Sequence, residues 1–212
     1  MQNQNGNGIL EQYTGSLSQH IQTEYSIPPK YYRGDLKLGL RNSDGTGVPI
    51  GVTRVGSVLG YMIEDGVRIP VPGQLYYRGI ELTEIVEAHR QAGTFGYEEV
   101  AYLLLMGYLP SHSELNRFNE IMNRARKLPN GFTEDMIMKN PSRNIMNKLA
   151  RCVLSLYSYD KHPDDTSLDN ILLQSVKLIG AFPSIVANAY SVKRHYFEGG
   201  SLHIHFPVEG LS

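Results

Sequence analysis

The sequence of 212 residues contains a single cysteine, Cys152, and almost no excess of charge of either sign. A lone cysteine excludes an internal disulfide and is typical of proteins in a reducing cytoplasm, which is where we expect this chain to be located. The formal net charge of -1 excludes the basic surface that general nucleic-acid binding requires. Hydrophobic residues still make up 41% of the chain, which is enough to fill a packed core.

Long hydrophobic runs and targeting signals are also missing. No apolar stretch approaches the roughly 20 residues that a membrane span needs. Residues 1–8 are polar, with no basic region followed by an apolar one, so we expect no secretory signal. Their Asn, Gln and Gly content predicts a disordered tail over residues 1–8. The expected protein is globular and not attached to a membrane.

Hydrophobic periodicity predicts a mainly α-helical fold with a small β region near residues 45–80. In that region Asp65-Gly66 separates two short apolar segments, which predicts a hairpin turn. No Pro/Gly/Ser linker divides the chain, so we predict one domain, or part of one. The helical patterns cover residues 9–25, 82–92, 97–104, 111–125, 141–156 and 167–190.

Local signals refine several of these helices. Ser111 with Glu114 forms a capping-box pattern, and Thr133 is the expected cap of a short helix. Tyr97, Val100, Ala101 and Leu104 make one apolar stripe along the helical pattern that follows Gly96.

The pattern over residues 167–190 is apolar on more than one side. A helix of that breadth is usually buried, either inside a domain or against another subunit. Pro183 should kink it near Ile179 and Gly180, because proline removes a backbone donor.

The glycine-rich stretch 39–47 contains Arg41 and invites comparison with a phosphate-binding loop. It has no Gly-Lys-Ser/Thr ending and opens no helix, so neither the Walker nor the dinucleotide mechanism applies. A turn-rich loop is the favoured interpretation. Arg41 remains notable, because a guanidinium beside small residues can contact a phosphate through two hydrogen bonds.

His203 and His205 are two residues apart, so in an extended segment both side chains would leave the same face. Glu209 is the nearest further ligand for a metal. Zinc sites need three or four ligands at defined geometry, and two imidazoles do not establish one. A half-exposed strand before Pro207 is the favoured interpretation, and we predict no metal site.

Other candidate groups have simpler structural explanations, and we predict no catalytic residue in this chain. The charged stretch 161–165 is the expected solvated connection between two helices. Cys152 lies in an apolar helical pattern, where an inert packed thiol is expected. A basic cluster fits the solvated end of a helix, where the macrodipole favours cations: Arg124, Arg126 and Lys127.

A more specific pattern occupies residues 72–110, which read PGQLYYRGIELTEIVEAHRQAGTFGYEEVAYLLLMGYLP. A strand-like segment is followed by an Arg-Gly turn and by two short helical patterns, separated by Gly93 and Gly96. This order resembles the segment that leads into the large domain of citrate synthases, where a strand ending in Tyr-Arg-Gly precedes a Phe/Tyr-Glu-Glu-Val-Ala-Tyr-Leu-Leu helix. Further stretches are similar to that family in the same order: 38–41, 52–58, 145–160, 178–190 and 209–212.

The resemblance covers roughly residues 35–212 and implies a citrate-synthase-like large-domain helical fold. It implies a homodimer packed through long apolar helices, and condensation of acetyl-CoA with oxaloacetate to citrate and CoA without metal or prosthetic group. Arg41 matches the Arg of a Gly-Leu/Met-Arg motif that lies near the CoA phosphates in the family.

The family's His and Asp motifs and its small domain would lie beyond Ser212. Residues 9–212 are therefore expected to be the N-terminal part of the large domain, inactive alone. Two alternatives stay open: a portion of a 2-methylcitrate synthase, which uses propionyl-CoA, or a non-catalytic helical dimerisation module.

Overall fold

A computed structural model describes residues 4–31 and 52–207, with side chains from residue 8 onward. The chain divides into a helical unit, Met1–Ser18 with Asn116–Ser212, and a mixed unit, Gln19–Leu115. The mainly α-helical prediction is confirmed.

The elements are α1 (Gln4–Tyr25), a 3-10 helix (Pro29–Tyr31), β1 (Gly56–Glu64), β2 (Val67–Tyr77), β3 (Ile80–Glu81), α2 (Leu82–Ala92), α3 (Tyr97–Met106), α4 (His112–Ala125), a π-helix (Thr133–Met138), α5 (Ile145–Leu156), a second 3-10 helix (Tyr157–Tyr159) and α6 (Leu168–Glu198).

Helix α1 ends at Tyr25, directly before the Ile27-Pro28-Pro29 stretch that excludes further helix. It begins at Gln4, whereas the sequence predicted a start at Ile9 and a disordered tail over residues 1–8. Helix extension is cooperative, so each added residue costs far less than starting a new helix. Residues 4–8 have low helix propensity, and they extend a helix that is stabilised by the burial of Leu10 and Tyr13.

The mixed unit contains a three-stranded antiparallel sheet in the order β1-β2-β3. β1 and β2 pair from Gly56 with Tyr77 to Glu64 with Val67, and the register shifts between Leu59 and Tyr61. The predicted hairpin turn is confirmed: Asp65 and Gly66 both have positive φ, 50° and 78°, as the favoured two-residue turn requires.

The hairpin places large apolar side chains in solvent. Val58, Ile63 and Val67 are 79%, 67% and 64% exposed. Neither long strand contributes a fully buried residue, so the buried part of the mixed unit comes from its helices.

A second tight turn joins the sheet to the helices. Arg78 and Gly79 also have positive φ, 50° and 86°. The Arg78 guanidinium then donates to the Leu104 carbonyl near the end of α3, at 2.6 Å from Nη2, and lies over the Tyr25 ring. The Tyr-Arg-Gly motif is therefore a structural clamp, because its arginine satisfies a helix-end carbonyl.

The buried face of α3 differs from the apolar stripe of its sequence. Tyr102, Leu103 and Met106 are buried, while the stripe of Tyr97, Val100, Ala101 and Leu104 is only partly buried or exposed. Almost every residue after Glu99 is apolar, so the periodicity of the sequence does not by itself show which face of α3 is buried.

The predicted capping box at the start of α4 is confirmed. The Glu114 carboxylate accepts from the Ser111 backbone N–H and hydroxyl, at 2.8 and 2.6 Å. It also accepts from the Tyr108 hydroxyl at 2.9 Å and from the Tyr102 hydroxyl at 3.3 Å. The Ser111 hydroxyl and backbone bonds, followed by the Tyr108 bond, lower the pKa of Glu114 to about 2.

The core of the helical unit lies between α6, α5 and the π-helix. Its fully buried cluster is Phe132, Ile137, Leu149, Cys152, Ala181, Ile185, Ala189 and Val192. Two helix starts differ from the predicted ones. Thr133 is inside the π-helix, and Asn144 caps α5 by accepting from the Asn147 N–H at 2.9 Å. Helix α5 therefore begins at Ile145 and not at the predicted Pro141, since it is the Asn144 side chain that pairs a free N–H of the first turn.

Ser167, where the helical pattern was predicted to begin, caps helix α6, which continues past Pro183 and ends at Glu198, beyond the predicted end at residue 190. Gly180 allows α4 to approach closely, since a Cβ there would lie 2.5 Å from that of Ala125. By length and apolar content α6 would pass as a membrane span. Four of its residues, Ala181, Ile185, Ala189 and Val192, belong to the buried cluster, so α6 forms part of the core of this unit.

Lys148 is the one fully buried lysine among the described residues, 2% exposed. Its ammonium donates to the carbonyls of Met136 and Asn140, at the end of the π-helix. Burial lowers the pKa of Lys148, because the charged form loses its hydration. The lysine thus satisfies carbonyls that the end of a helix would leave unpaired.

The Glu114 network predicts an acid-sensitive contribution to stability. Because the pKa of Glu114 is about 2 when folded and 4.5 otherwise, folding favours the carboxylate. The stabilisation is complete above pH 4.5 and is lost as the pH falls toward 2. Glu114→Gln should lower the free energy of unfolding by about 1 kcal/mol at pH 7.

Urea unfolding from pH 7 to 3 measures this difference, which should shrink with acid. Glu120→Gln, at an exposed position of the same helix, is the control and should leave the pH dependence unchanged. A difference between wild type and Glu114→Gln that stays constant with pH would contradict the assignment.

Candidate functional site

Arg41, the predicted contact to CoA phosphates, lies outside the described residues, as does Glu209. Neither prediction is tested by the structure. The remaining candidates, His203, His205, Cys152, the basic cluster and the 161–165 stretch, all lie in the helical unit.

His203 and His205 belong to an extended segment that is docked on α6. The His205 N–H donates to Asn188 Oδ1 at 2.7 Å, and Asn188 Nδ2 donates to the His205 carbonyl at 3.1 Å. The His203 N–H donates to the Ser191 hydroxyl at 3.1 Å. The side chains of α6 therefore take the place of a neighbouring strand.

Side chains of this segment alternate as an extended chain requires. Leu202 and Ile204 pack against the buried cluster, while both histidines point outward and are exposed. In the described part of the chain no three His, Cys, Asp or Glu residues come together as a metal site would need. The segment is extended, with Leu202 and Ile204 partly buried and both histidines exposed, as predicted, but it is not part of a β-sheet among the described residues.

Cys152 is 1% exposed and belongs to the buried cluster. Burial raises the pKa of its thiol, since the thiolate would lose hydration, and nearby Lys148 and Arg151 only partly oppose this. A thiol of this kind is a poor nucleophile. The prediction of an inert packed cysteine agrees with this environment.

The basic cluster borders a cleft that the sequence did not reveal. Arg124 of α4 and Lys127 of the following loop line it together with Lys177 of α6. The cleft has a volume of about 510 Å³ and opens between the C-terminal ends of α4 and α5 and the first half of α6. Its apolar lining comes from five elements or loops and includes Leu10, Ile121, Leu128, Val153, Leu156 and Leu178.

The connection between α5 and α6 forms one wall of this cleft and is tied by hydrogen bonds. The Tyr157 hydroxyl donates to both oxygens of Asp164, at 3.0 and 2.8 Å. Asn170 Nδ2 donates to the carbonyls of His162 and Asp165, at 2.8 and 2.7 Å. The Asp165 carboxylate accepts from the Ser167 N–H, and this bond lowers the pKa of Asp165.

These bonds explain the charged stretch 161–165 without acid–base chemistry. Each carboxylate that could act as a base already accepts hydrogen bonds that shape the loop. The sequence predicted a connection here but did not identify Lys177 as a residue of the cleft. A single lysine in an apolar helical pattern does not indicate which residues will surround it in the fold.

Comparison with protein families matches residues 44–206 to the family described as "Citrate synthase, C-terminal domain". The similar proteins include "Citrate/2-methylcitrate synthase" of Bacillus subtilis (strain 168), 29% identical over 119 residues, which is 56% of this chain and 30% of that protein. "Citrate synthase, glyoxysomal" of Cucurbita maxima is 32% identical over 127 residues, 56% of this chain and 23% of that protein. The alignments therefore span less than a third of the length of these relatives.

A similar solved structure is that of the citrate synthase from Pyrobaculum aerophilum. The two superpose with a TM-score of 0.55 at 24% sequence identity, over 81% of this chain and 42% of that one. At this identity the likeness establishes a shared fold. It supports the mainly α-helical large-domain architecture that the sequence predicted.

The docking of the histidine segment on α6 can be tested through Asn188, which is 1% exposed. Asn188→Leu keeps the number and branching of the side-chain heavy atoms and removes two hydrogen bonds, leaving the His205 N–H and carbonyl unpaired. We expect a loss of about 2–3 kcal/mol in the free energy of unfolding and faster amide hydrogen exchange at His205.

Ser191→Ala removes one bond and should cost about 1 kcal/mol. Asn147→Ala, at an exposed position of α5, is the control and should change neither quantity. Unchanged exchange at His205 in the Asn188→Leu variant would show that the segment is held by other contacts.

Proposed function

Because this chain belongs to the citrate synthase family, we propose that it is a portion of an enzyme that condenses acetyl-CoA with oxaloacetate to give citrate and CoA. The observation that carries the proposal is the family match over residues 44–206, which includes the Tyr-Arg-Gly turn and the helices after it. The helical fold shared with a solved citrate synthase supports it further. A cytoplasmic location, expected from the lone cysteine, is part of the proposal.

A portion of a 2-methylcitrate synthase is the second candidate. Its support is specific, because similar proteins include one named "Citrate/2-methylcitrate synthase" and one named "2-methylcitrate synthase 1", 29% and 28% identical to this chain. The two candidates differ by one methylene in the acyl group, which a hydrophobic pocket distinguishes only weakly. Comparing acetyl-CoA with propionyl-CoA in the enzyme that contains this chain would separate them.

In the proposed reaction the chemistry is general acid–base catalysis on an enolisable thioester. A base removes a proton from the acetyl group, and the resulting enolate attacks the oxaloacetate carbonyl. The thioester is then hydrolysed, which releases CoA. Acetyl-CoA enters as a substrate, and no metal or prosthetic group takes part in the proposed reaction.

Within that scheme the described residues supply the scaffold, and Arg41 is proposed to contact the CoA phosphates. The sequence contains no His-x-x-His and no His-Gly-Gly motif. Arg78 and Glu114, the strongest polar groups of the mixed unit, are both used in holding helix ends. The proposed role of this part of the chain is therefore to build the large domain.

We also propose assembly as a homodimer through the long apolar helices. The support is an uncovered apolar stripe on α5, where Met146, Ala150 and Leu154 are spaced by four residues and are exposed. Met146 and Leu154 are each 75% exposed. On α6, Ile171 and Tyr190 are 45% and 52% exposed. Apolar helix faces of this kind are typical of surfaces that pack against a partner.

The chain of 212 residues should release no CoA thiol from acetyl-CoA and oxaloacetate, because it lacks the family's His motifs. A colorimetric thiol assay measures this, with an intact citrate synthase as the positive control. Turnover above the uncatalysed rate by the purified chain would contradict the assignment of catalysis to residues outside it.

The second prediction concerns assembly. The chain should scatter light as a dimer at micromolar concentration, and Leu154→Glu should shift it to a monomer, because a buried unpaired carboxylate disrupts an apolar interface. Ala88→Glu places the same charge at an exposed position of α2 and should leave the dimer intact. A monomeric wild-type chain would contradict the proposal, as would a Leu154→Glu variant that remains a dimer.

A further inference from the structure

The cleft of the helical unit has the composition of a ligand site that the proposed reaction does not use. Its volume of about 510 Å³ lies within the range of roughly 300–1,000 Å³ that is usual for small-molecule sites. Most such sites combine apolar walls with a few placed polar groups. This cleft has both.

Its charges are unbalanced. Arg124, Lys127 and Lys177 line it against a single acid, Asp160. The Asp160 carboxylate already accepts from the His162 N–H at 2.9 Å. Asp164 follows the cleft residue Pro163 in the sequence, and its carboxylate accepts a hydrogen bond from the Tyr157 hydroxyl. In the described part of the chain none of the three cations forms an ion pair with either acid, so their charge is available to a ligand.

The wall beside these cations is already formed. Gln174 Nε2 donates to the carbonyls of His162 and Pro163, at 3.3 and 3.4 Å, which ties α6 to the loop that carries Asp160. A ligand would therefore meet an ordered surface and would pay little to organise it.

We infer that this cleft binds an amphipathic organic anion, whose carboxylate or phosphate head contacts Arg124, Lys127 and Lys177 and whose apolar body packs on Ile121, Val153 and Leu178. The inference rests on the lining residues of the cleft and is independent of the proposed function. A cationic ligand is disfavoured by the excess of basic groups, and an uncharged one would leave them without a partner.

Three probes separate the two parts of the site: octanoate, octan-1-ol and inorganic phosphate. Octanoate carries both head and body, the alcohol keeps only the body, and phosphate carries only a charged head. Titration followed by amide chemical shifts should give saturable binding for octanoate, with shifts at residues of α4, α5 and α6 that line the cleft. The alcohol and phosphate should each bind at least tenfold more weakly.

Charge-removing variants test the head. Lys177→Met keeps the aliphatic stem, and together with Arg124→Gln it should weaken octanoate binding severalfold, by roughly twofold to 25-fold, since each exposed ion pair is worth about 1.4-fold to fivefold. Lys161→Gln is the control, because Lys161 is an exposed cation of the loop between α5 and α6 that does not line the cleft. This variant should leave the affinity for octanoate unchanged. Circular dichroism confirms that the variants fold.

Raising the salt concentration to about 0.15 M should weaken octanoate binding to wild type more than to the double variant, because exposed charges are screened. Equal affinities for octanoate and octan-1-ol would overturn the inference and leave an apolar groove only. So would Lys161→Gln weakening the binding as much as Lys177→Met does.

Discussion

Burial of one side of α6 is the constraint on which the helical unit depends. Fixing the backbone of a 31-residue helix costs entropy that intrinsic helix propensity does not offset, so the helix is held by tertiary burial. That burial comes from Ala181, Ile185, Ala189 and Val192, which pack with Phe132 and Ile137 in one cluster. Gly180 contributes by having no side chain, because any Cβ would collide with α4.

Several features of the unit follow from the position of α6. Asn188 and Ser191 hold the extended segment 201–207 in place of a neighbouring strand. Further toward its start, the same helix brings Lys177 beside Arg124 and Lys127. One helix therefore serves as core, as docking surface and as the wall of a charged cleft. The buried ammonium of Lys148 has hydrogen-bond partners, whereas no ion pair found among the described residues includes a cation of the cleft.

Turns and caps could be predicted because their chemistry is local. Asp65-Gly66, the Arg78-Gly79 turn and the Ser111/Glu114 capping box depend on residues within a few positions of one another. Helix faces were less predictable. On α3 nearly every residue is apolar, so the sequence does not show which face is buried. The buried face carries Tyr102, whose hydroxyl forms hydrogen bonds with Tyr108 and Glu114. The sequence predicted that Arg124 and Lys127 lie at a solvated helix end. The structure shows that they line a cleft together with a third cation, Lys177 of α6.

By itself the sequence determined the family, the mainly α-helical class, the hairpin, and the interpretation of His203 and His205 as alternate residues of an extended segment. Each of these rests on order, spacing or short-range steric chemistry, which a linear chain displays directly. Only the tertiary structure decided that Arg78 clamps α3, that Lys148 closes the π-helix, and that Lys177 joins a basic cleft. Those contacts join residues of different structural elements, and they exist because apolar burial brings the elements that carry them together.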